Sequence, residues 1–259
     1  MFKLNHLLGG AALAFALVSS PMARADDEKA VSLIVKPKAG HITRTKTVIK
    51  TNFNGMDIVV NQAQKDTVKE IKENGDVVVE ITDEGSTVTY GGTDHDTPAA
   101  APRTITRDKV GKVKEYKSED QPGFMTPEVS KLMSVVSTFI LTEKAVKKDD
   151  TWQTEIENPA VKAKKITVKG TYLGIEKIDG KDYWKIKQTT EAVVDTDGSK
   201  MTYDVTEWVN PADGEAVKIE GTVKDVPTQV GPLTMQMTSK VVKADDKEIP
   251  TPKKPEAKP

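Results

Sequence analysis

Residues 123–152 read GFMTPEVSKLMSVVSTFILTEKAVKKDDTW and contain the one good amphipathic helix pattern in the chain. Thr126 is a suitable N-cap, because its hydroxyl accepts a hydrogen bond from a free backbone N–H of the first turn. Pro127 fits the first helical position, and Glu128 places negative charge at the positive end of the helix dipole. Apolar residues then recur at helical spacing, namely Val129, Leu132, Met133, Val136, Phe139 and Ile140. We therefore predict a helix at about Pro127 to Leu141.

Two roles are open for this helix. Its apolar stripe can cover one face of a sheet and close a core. Alternatively, the helix is a lid over an apolar cavity, in which Met125, Met133 and Phe139 touch a ligand. The stretch is too short, and too polar on one side, to span a bilayer.

Most of the remaining chain has the pattern of antiparallel strands joined by tight turns. Asn-Gly and Asp-Gly pairs tolerate the positive φ of two-residue hairpin turns. Five such pairs lie between candidate strands: Asn54-Gly55, Asn74-Gly75, Asp179-Gly180, Asp197-Gly198 and Asp213-Gly214. Met201, Tyr203 and Val205 alternate with polar residues, which gives each strand one dry and one wet face. Residues 31–35 are a candidate first strand, whereas residues 91–102 show no periodicity and are predicted to be a loop.

The two parts of the chain on either side of the helix look alike. VKEIKENGDVVVEITDE from Val68 resembles YLGIEKIDGKDYWKIKQTTE from Tyr172. This similarity favours two related halves, at about 31–120 and 149–244, although generic hairpin composition explains the same likeness. The predicted fold is mainly β (α+β), a curved antiparallel sheet of repeated hairpins from two similar halves, covered by one central amphipathic helix. Residues 26–244 form one domain in this interpretation.

The two ends of the chain differ from this domain. Residues 1–25 have the three parts of a secretory signal, with Lys3 and His6 before an apolar run and Ala23-Arg24-Ala25 at its end. We expect cleavage after Ala25 and a bacterial periplasmic or secreted protein. A retained anchor is the alternative, but the apolar run is short for a span. Residues 245–259 are rich in lysine and proline and are predicted to be a disordered tail.

Composition excludes several classes of function. The chain has no cysteine, which removes disulfides, thiol nucleophiles, cysteine-bound zinc and the lipid-modified cysteine of a lipoprotein. Lys plus Arg total 38 and Asp plus Glu total 39, for a formal net charge of -1. No dominant charge directs the protein to nucleic acid or to an anionic membrane. We expect no nucleic-acid partner and no integral membrane span after processing.

The arrangement of signal peptide, curved antiparallel sheet and covering helix resembles the carrier fold of periplasmic lipoprotein-localisation factors and their mycobacterial lipid-binding relatives. The segment KDDTW at 148–152, followed by a strand and the hairpin from Tyr172 to Gly180, is similar to uncharacterised exported bacterial proteins with a G-D-x-W element. Asp149 stands here in place of the glycine. The resemblance implies a fold and an apolar class of ligand, and it implies no site residues.

Catalytic and metal-binding patterns are weak. The predicted mature chain has two histidines, His41 and His95, and no G-x-S-x-G nucleophile elbow. Asp94-His95-Asp96 offers metal ligands, but zinc needs at least three that are well separated and rigidly held. Residues 195–199, DTDGS, resemble a calcium loop with its glycine misplaced, and a tight turn explains them as well. We predict no enzyme activity, no metal site and no cofactor.

Two hypotheses of function remain. In the first, the chain is an exported non-catalytic protein that carries or senses an apolar small molecule or lipid between sheet and helix. The candidate ligand-binding residues are Met133, Phe139, Trp184, Trp208, Met235 and Met237, because methionine adapts to irregular guests and tryptophan is scarce here. Core packing is the alternative role of the tryptophans. In the second hypothesis, the core is filled and the chain is a structural protein that meets an envelope protein. An apolar hollow above ~300 Å³ favours the first.

Overall fold

The computed structural model describes residues 29–98, 100–118, 126–229 and 231–242. In chain order the strands are β1 (Ile42–Phe53), β2 (Met56–Ile71), β3 (Val77–Tyr90), β4 (Thr93–Thr97), β5 (Arg103–Arg107), β6 (Val113–Ser118), β7 (Thr151–Glu157), β8 (Lys165–Ile178), β9 (Lys181–Val193), β10 (Lys200–Val209), β11 (Ala216–Val226) and β12 (Leu233–Val241), with helix α1 (Pro127–Val136) between β6 and β7. The predicted signal peptide, the predicted tail and Met125 lie outside the described residues.

All twelve strands belong to one antiparallel sheet, in the order β6-β5-β3-β2-β1-β12-β11-β10-β9-β8-β7, while β4 pairs with β3. The sheet curves so that β1–β3 and β10–β12 face the same interior. The prediction of a mainly β, antiparallel fold is confirmed. Pairing of β1 with β12 joins the first six strands to the last six at the middle of the sheet. The repeat stays a prediction, because β4 folds back on β3 in the first half and no such strand occurs in the described part of the second.

The five predicted hairpin turns are all present. Each Asn-Gly or Asp-Gly pair lies between two strands that pair with each other. The β8–β9 turn shows the reason for this residue choice, since Asp179 has φ 51° and Gly180 has φ 78°. These are the positive values that a two-residue hairpin requires and that most side chains resist. Local turn chemistry therefore sets the connection between neighbouring strands.

Helix α1 begins where the sequence predicts. Its N-cap Thr126 accepts a hydrogen bond from the Val129 N–H at 3.4 Å. It ends at Val136, so the predicted end at Leu141 was wrong. The physical reason is the buried amide of Gln188 on β9, which accepts from the Ile140 N–H at 2.9 Å and donates to the Thr138 carbonyl at 3.2 Å. These bonds replace the intrahelical bonds that another turn would have made.

Two further predictions are corrected. Residues 31–35 do not join the sheet, because only Val31 forms an isolated bridge, to Val146. This extended segment instead buries Leu33 completely at one end of the sheet. Part of the predicted loop 91–102 is the strand β4, which follows a turn at Gly91 and Gly92 and pairs antiparallel with the end of β3. Thr93 to Thr97 lack hydrophobic alternation because all five residues are polar, so periodicity gave no signal there.

The apolar core lies mainly in the second half of the sheet. Leu132, Val135 and Val136 of α1 and Ile140 after it share one cluster with residues of β7–β11. The sheet residues of this cluster are Ile156, Ile166, Val168, Ala192, Met201, Tyr203, Val205, Val223 and Val226. A second cluster closes one end of the sheet around Leu33, Tyr172 and Ile186. The first half has a smaller cluster of five residues, namely Val68, Val77, Val79, Ile81 and Ile105.

Candidate functional site

A cavity of about 1070 Å³ lies between α1 and the curved sheet. Its walls come from the inner faces of β1, β2, β3 and β5, from parts of β10–β12, and from α1 with the residues after it. The cavity therefore occupies the side of the sheet that the main apolar cluster leaves unfilled. Its volume matches the upper range of small-molecule sites, which are roughly 300–1,000 Å³.

Polar and apolar side chains share the cavity wall. The polar residues of the sheet and its edges include Thr43, Thr45, Thr47, Gln62, Gln64, Asp66, Arg103, Arg107, Lys117, Tyr203, Glu207, Glu215, Lys218, Ser239 and Lys240. The apolar residues include Ile49, Val68, Val79, Ile81, Ile105, Ile219, Met133, Phe139 and Met237. Strand alternation explains the threonine row, because Thr43, Thr45 and Thr47 are two residues apart and so share the inner face of β1. A molecule in this cavity meets hydroxyl and hydrocarbon surface together.

Helix α1 turns opposite faces to the core and to the cavity. Ser130, Ser134 and Ser137 line the cavity, whereas Leu132 and Val136 are buried in the main cluster. The Ser134 hydroxyl donates to the Ser130 carbonyl at 3.1 Å, which satisfies it within the helix. The helix therefore packs on the main cluster with one face and borders the cavity with the other, and its role as a lid over a ligand stays a prediction.

A charged network borders the cavity on β2 and β5. The Arg103 guanidinium donates from Nη2 to Gln64 Oε1 at 2.7 Å, and Gln64 Nε2 donates to Asp66 Oδ1 at 2.7 Å. Burial raises the pKa of Asp66, and the Gln64 hydrogen bond and the positive charges of Arg107 and Arg103 oppose that rise. Burial also lowers the pKa of Arg107, against the negative charges of Asp66 and Glu215. Asp66 and Glu215 thus supply negative charge near Arg107, whose buried Nε has no hydrogen-bond partner among the described residues.

Glu215 precedes β11 and bridges the two halves at this cavity edge. Its Oε2 accepts from the Thr43 hydroxyl at 2.8 Å and lies 3.1 Å from His41 Nε2. Thr43 and His41 lie at the start of β1, 172 and 174 residues away in sequence. These contacts of Glu215 connect the first half of the sheet to the second half beside the cavity.

Glu207 and Tyr203 on β10 form the most unusual part of the wall. Glu207 is 0% exposed, yet neither carboxyl oxygen has a hydrogen-bond partner among the described residues. Burial raises the pKa of Glu207 well above its ordinary value. The Tyr203 hydroxyl also has no partner in that part of the chain, and burial, with the charge of Glu207, raises the pKa of Tyr203. Unpartnered buried polar atoms are costly, so this pair is a candidate for a functional role.

No protein-family model matches this chain, and no curated protein sequence matches it. Solved structures with partial likeness include a lipovitellin structure described by its lipid–protein interactions. It is 7% identical with a TM-score of 0.45, and the match covers 79% of this chain but only 25% of that one. The chain thus spans about a quarter of the length of the lipovitellin chain.

For two bacterial structures, the match covers most of the neighbour's chain. The hypothetical lipoprotein YmcC from Escherichia coli is 15% identical, over 78% of this chain and 88% of that one, with a TM-score of 0.26. A DUF1329 family protein from Desulfovibrio piger is 8% identical, over 77% and 84%, with a TM-score of 0.24. Likeness at these values transfers no function to this chain. The relation to lipoprotein-localisation factors and the G-D-x-W element stays a prediction.

The structure brings three of the six predicted ligand-binding residues together. Met133, Phe139 and Met237 line the cavity. Phe139 also packs against the end cluster, so it serves both regions. These three residues come from α1, from the segment after it and from β12. They form an apolar part of a wall that is otherwise rich in hydroxyl groups.

The other three predicted residues lie away from the cavity. Trp184 is 8% exposed and belongs to the end cluster, and Met235 packs against the main cluster. Trp208 is on the opposite face of β10 from Glu207, because neighbouring strand residues alternate. Its ring lies beneath Lys185 and Lys218, whose Nζ atoms are 5.3 Å and 4.2 Å from the ring centroid. Trp184 and Trp208 therefore pack against neighbouring side chains of the protein, which was the alternative role given to the tryptophans.

The metal-like patterns have ordinary structural roles. His95 on β4 stacks on Tyr90 with ring centroids 4.1 Å apart. Asp197 accepts a hydrogen bond from the Ser199 N–H at 2.7 Å within the β9–β10 turn. Bonds from Ser199 lower the pKa of Asp197. Over the described ranges, no group of three or more His, Cys, Asp or Glu side chains is arranged to hold a metal ion.

Sequence reasoning missed Glu207, and the alternation on β10 contained the signal. Met201, Tyr203 and Val205 occupy successive inner positions of this strand, so the next inner position is 207. An acidic residue within this otherwise dry row, which continues to the buried Val209, breaks the binary pattern that a buried face requires. Asp66 and Arg107 were less visible, because Thr and Gln already interrupt the inner rows of the first half.

Proposed function

We propose that this chain is an exported, non-catalytic binding protein that holds an apolar or amphipathic small molecule, such as a lipid, between α1 and the first half of the sheet. The observation that carries the proposal is the cavity of about 1070 Å³ beside a well-packed core. Interiors of folded proteins are normally close-packed, and voids that exceed a few water molecules are rare in them. A hollow of this size therefore supports a guest over a filled structural core.

The mixed wall supports an amphipathic guest. Ile49, Ile81 and Ile105 provide hydrocarbon contact on three strands, while Thr45 and Thr47 add hydroxyl groups between them. Ligand sites of proteins commonly combine apolar surface with a few placed polar groups. The sequence-based expectation of a purely apolar ligand is thereby extended to a molecule with both kinds of surface.

Export and the absence of catalysis complete the proposal. Residues 1–25 carry the signal pattern, and along the described chain no helix has both the length and the apolar character needed to cross a membrane. The cavity carboxylates Asp66 and Glu215 are held by Gln64, Thr43 and His41, which favours a structural role for them. An envelope protein that receives or delivers the ligand stays a prediction.

Binding is tested by filling the cavity from one strand. Ile49 lines the cavity, and its neighbour Lys50 is exposed on the opposite face of β1. We expect Ile49→Trp to abolish binding of an apolar fluorescent dye and to remove any molecule seen by native mass spectrometry of protein purified from its own envelope. Lys50→Trp, the matched control, keeps both. Equal binding by the two variants, or no dye binding by the parent protein, contradicts the proposal.

A further inference from the structure

The inner wall of the cavity contains an acid without a counter-charge. Glu207 is 0% exposed, and no Lys, Arg or His of the described chain forms an ion pair with it. Burial raises the pKa of Glu207, and no neighbouring charge contributes to that shift. Its partners across the sheet are Ile186 on β9 and Ile219 on β11, which are apolar. Nothing on the adjacent strands therefore compensates the carboxyl group.

The cavity arginines do not take this role. The negative charges that act on Arg107 are those of Asp66 and Glu215, and Arg103 donates to Gln64. These groups lie on β2, β5 and the segment before β11, and none of them forms an ion pair with Glu207. Buried charges in proteins are normally paired, so an uncompensated acid bordering a ligand-sized cavity lacks a partner that the chain does not supply.

We propose that Glu207, once its carboxyl group turns from its fully buried position toward the cavity, binds the ammonium group of an amphipathic amine whose hydrocarbon part lies in the cavity. This inference deepens the proposed function and rests on it. An ammonium group supplies donors for the two unpartnered carboxyl oxygens, and its positive charge favours the ionised carboxylate, which burial alone disfavours. Charge-assisted hydrogen bonds of this kind are about twice as strong as neutral ones, most of all where water is excluded.

Other head groups fit less well. A carboxylate or phosphate presents acceptors to an acid that itself needs donors, and it adds like charge if Glu207 ionises. An alcohol satisfies one oxygen but brings no charge. The Tyr203 hydroxyl, also unpartnered on the same inner row, is available to a second polar atom of the ligand. Hydroxyls of Thr45 and Thr47 in the wall give a cationic group polar contacts on its way inward.

The test uses three probes with one chain length: decylamine, 1-decanol and decanoate, each kept below its solubility limit or critical micelle concentration and titrated calorimetrically at neutral pH. We expect the full mature protein to bind decylamine about tenfold more tightly than decanol, the ratio that a charged hydrogen bond gives at ~1.4 kcal/mol. Decanoate binds more weakly than both. Glu207→Gln keeps the size of the side chain and removes its charge, so it lowers decylamine affinity to the level of decanol and leaves decanol nearly unchanged.

Controls separate this inference from the proposed function. Glu191→Gln, an exposed acid on β9, keeps the preference for the amine. Equal affinity of the parent protein for amine and alcohol, tighter binding of decanoate, or an amine preference retained by Glu207→Gln overturns the ammonium site and leaves the binding protein standing. Failure of all three probes to bind overturns both. If Glu207→Gln does not fold, the amine-to-alcohol ratio of the parent protein decides the question.

Discussion

Strands β10 and β1 face the same interior from two halves of one sheet, yet they fill it differently. On β10, Met201, Tyr203 and Val205 are each 1% exposed and belong to the main apolar cluster. On β1, Thr43 and Thr47 at inner positions line the cavity instead. Both strands alternate with a period of two, so periodicity alone does not distinguish them. The chemistry of the inner residues decides which half is filled and which is hollow.

Helix α1 follows the same division. Its apolar stripe packs on the half that offers hydrocarbon, and its serines face the half that offers hydroxyl groups. Dehydrating a hydroxyl without a partner costs free energy, so a wall of threonine, glutamine and serine resists collapse onto the helix. The comparison shows that a hollow beside a core needs only polar residues at inner positions of otherwise ordinary strands.

The largest expected effect is on the filled side. Leu132 is 0% exposed in the main cluster, so Leu132→Ala removes packed methyl groups and leaves a void. We expect the free energy of unfolding to fall by about 2–5 kcal/mol in urea titration. Met133, the next residue, lines the cavity and is only partly buried against the main cluster, so Met133→Ala is the control with a smaller loss. Equal losses at the two positions break the division of the helix into two faces.

A change of opposite sign is expected at Glu207. Replacing it with leucine removes two unpartnered carboxyl oxygens from a fully buried position. We expect Glu207→Leu to raise the free energy of unfolding at pH 7 by about 1–3 kcal/mol, the cost of a buried unsatisfied polar group. Glu191→Leu, at an exposed position on β9, is the control and changes stability little.

The gain at Glu207 depends on pH with a defined sign. Burial raises the pKa of Glu207 in the folded protein. Below the unfolded pKa of about 4.3, both states carry the proton and the carboxyl is least costly. Above it, the unfolded state ionises first, so the parent protein loses stability as pH rises toward the folded pKa. The advantage of Glu207→Leu in thermal melts should therefore grow as pH rises above about 4.3, and an advantage that shrinks as pH rises contradicts the burial.

The next prediction compares the two hairpins that the sequence aligned. Gly75 and Gly180 have φ 84° and 78°, and neither has an atom near the place of an added Cβ. Valine resists this conformation by about 1–2 kcal/mol. We expect Gly75→Val and Gly180→Val to destabilise by that amount and equally, as measured by thermal melts. A loss at only one turn would argue against equivalent hairpins in the two halves.

The sequence predicted features that depend on neighbouring residues. Turn pairs such as Asp179-Gly180 predicted the hairpins, and the N-cap Thr126 predicted the start of α1. The alternation on β10 predicted which side chains share its inner face. Each of these features depends on local geometry. The end of α1 was missed because Gln188, about fifty residues away, binds the backbone of Thr138 and Ile140. Contacts over such distances in sequence leave no local pattern.

The candidate site was less accessible than the fold. Bulky side chains were expected to mark it, and Met133, Phe139 and Met237 do line the cavity. Strand alternation places Trp208 on the face of β10 opposite Glu207, and Trp184 packs in the end cluster. The size of the cavity follows from how the curved sheet places β1 across from β10, which no single stretch of sequence specifies. Glu207 interrupts the apolar alternation of the inner residues of β10. The sequence alone could therefore have identified it as a candidate site residue.

The smallest expected effect is on the hollow side of the helix and is the most sensitive test of the comparison. Ser134 lines the cavity, and its hydroxyl bonds back to the Ser130 carbonyl of the same helix. Ser134→Ala leaves no void in a packed core, and alanine is the better helix former by about 0.5 kcal/mol. We therefore expect the melting temperature to stay constant or to rise slightly. Val136→Ala, two residues on and 1% exposed, removes only two methyl groups yet should cost more, because they are packed in the main cluster. A loss at Ser134 comparable to that at Val136 would mean that both faces of α1 are packed in solution, and the cavity would then be closed in the protein that the melt measures.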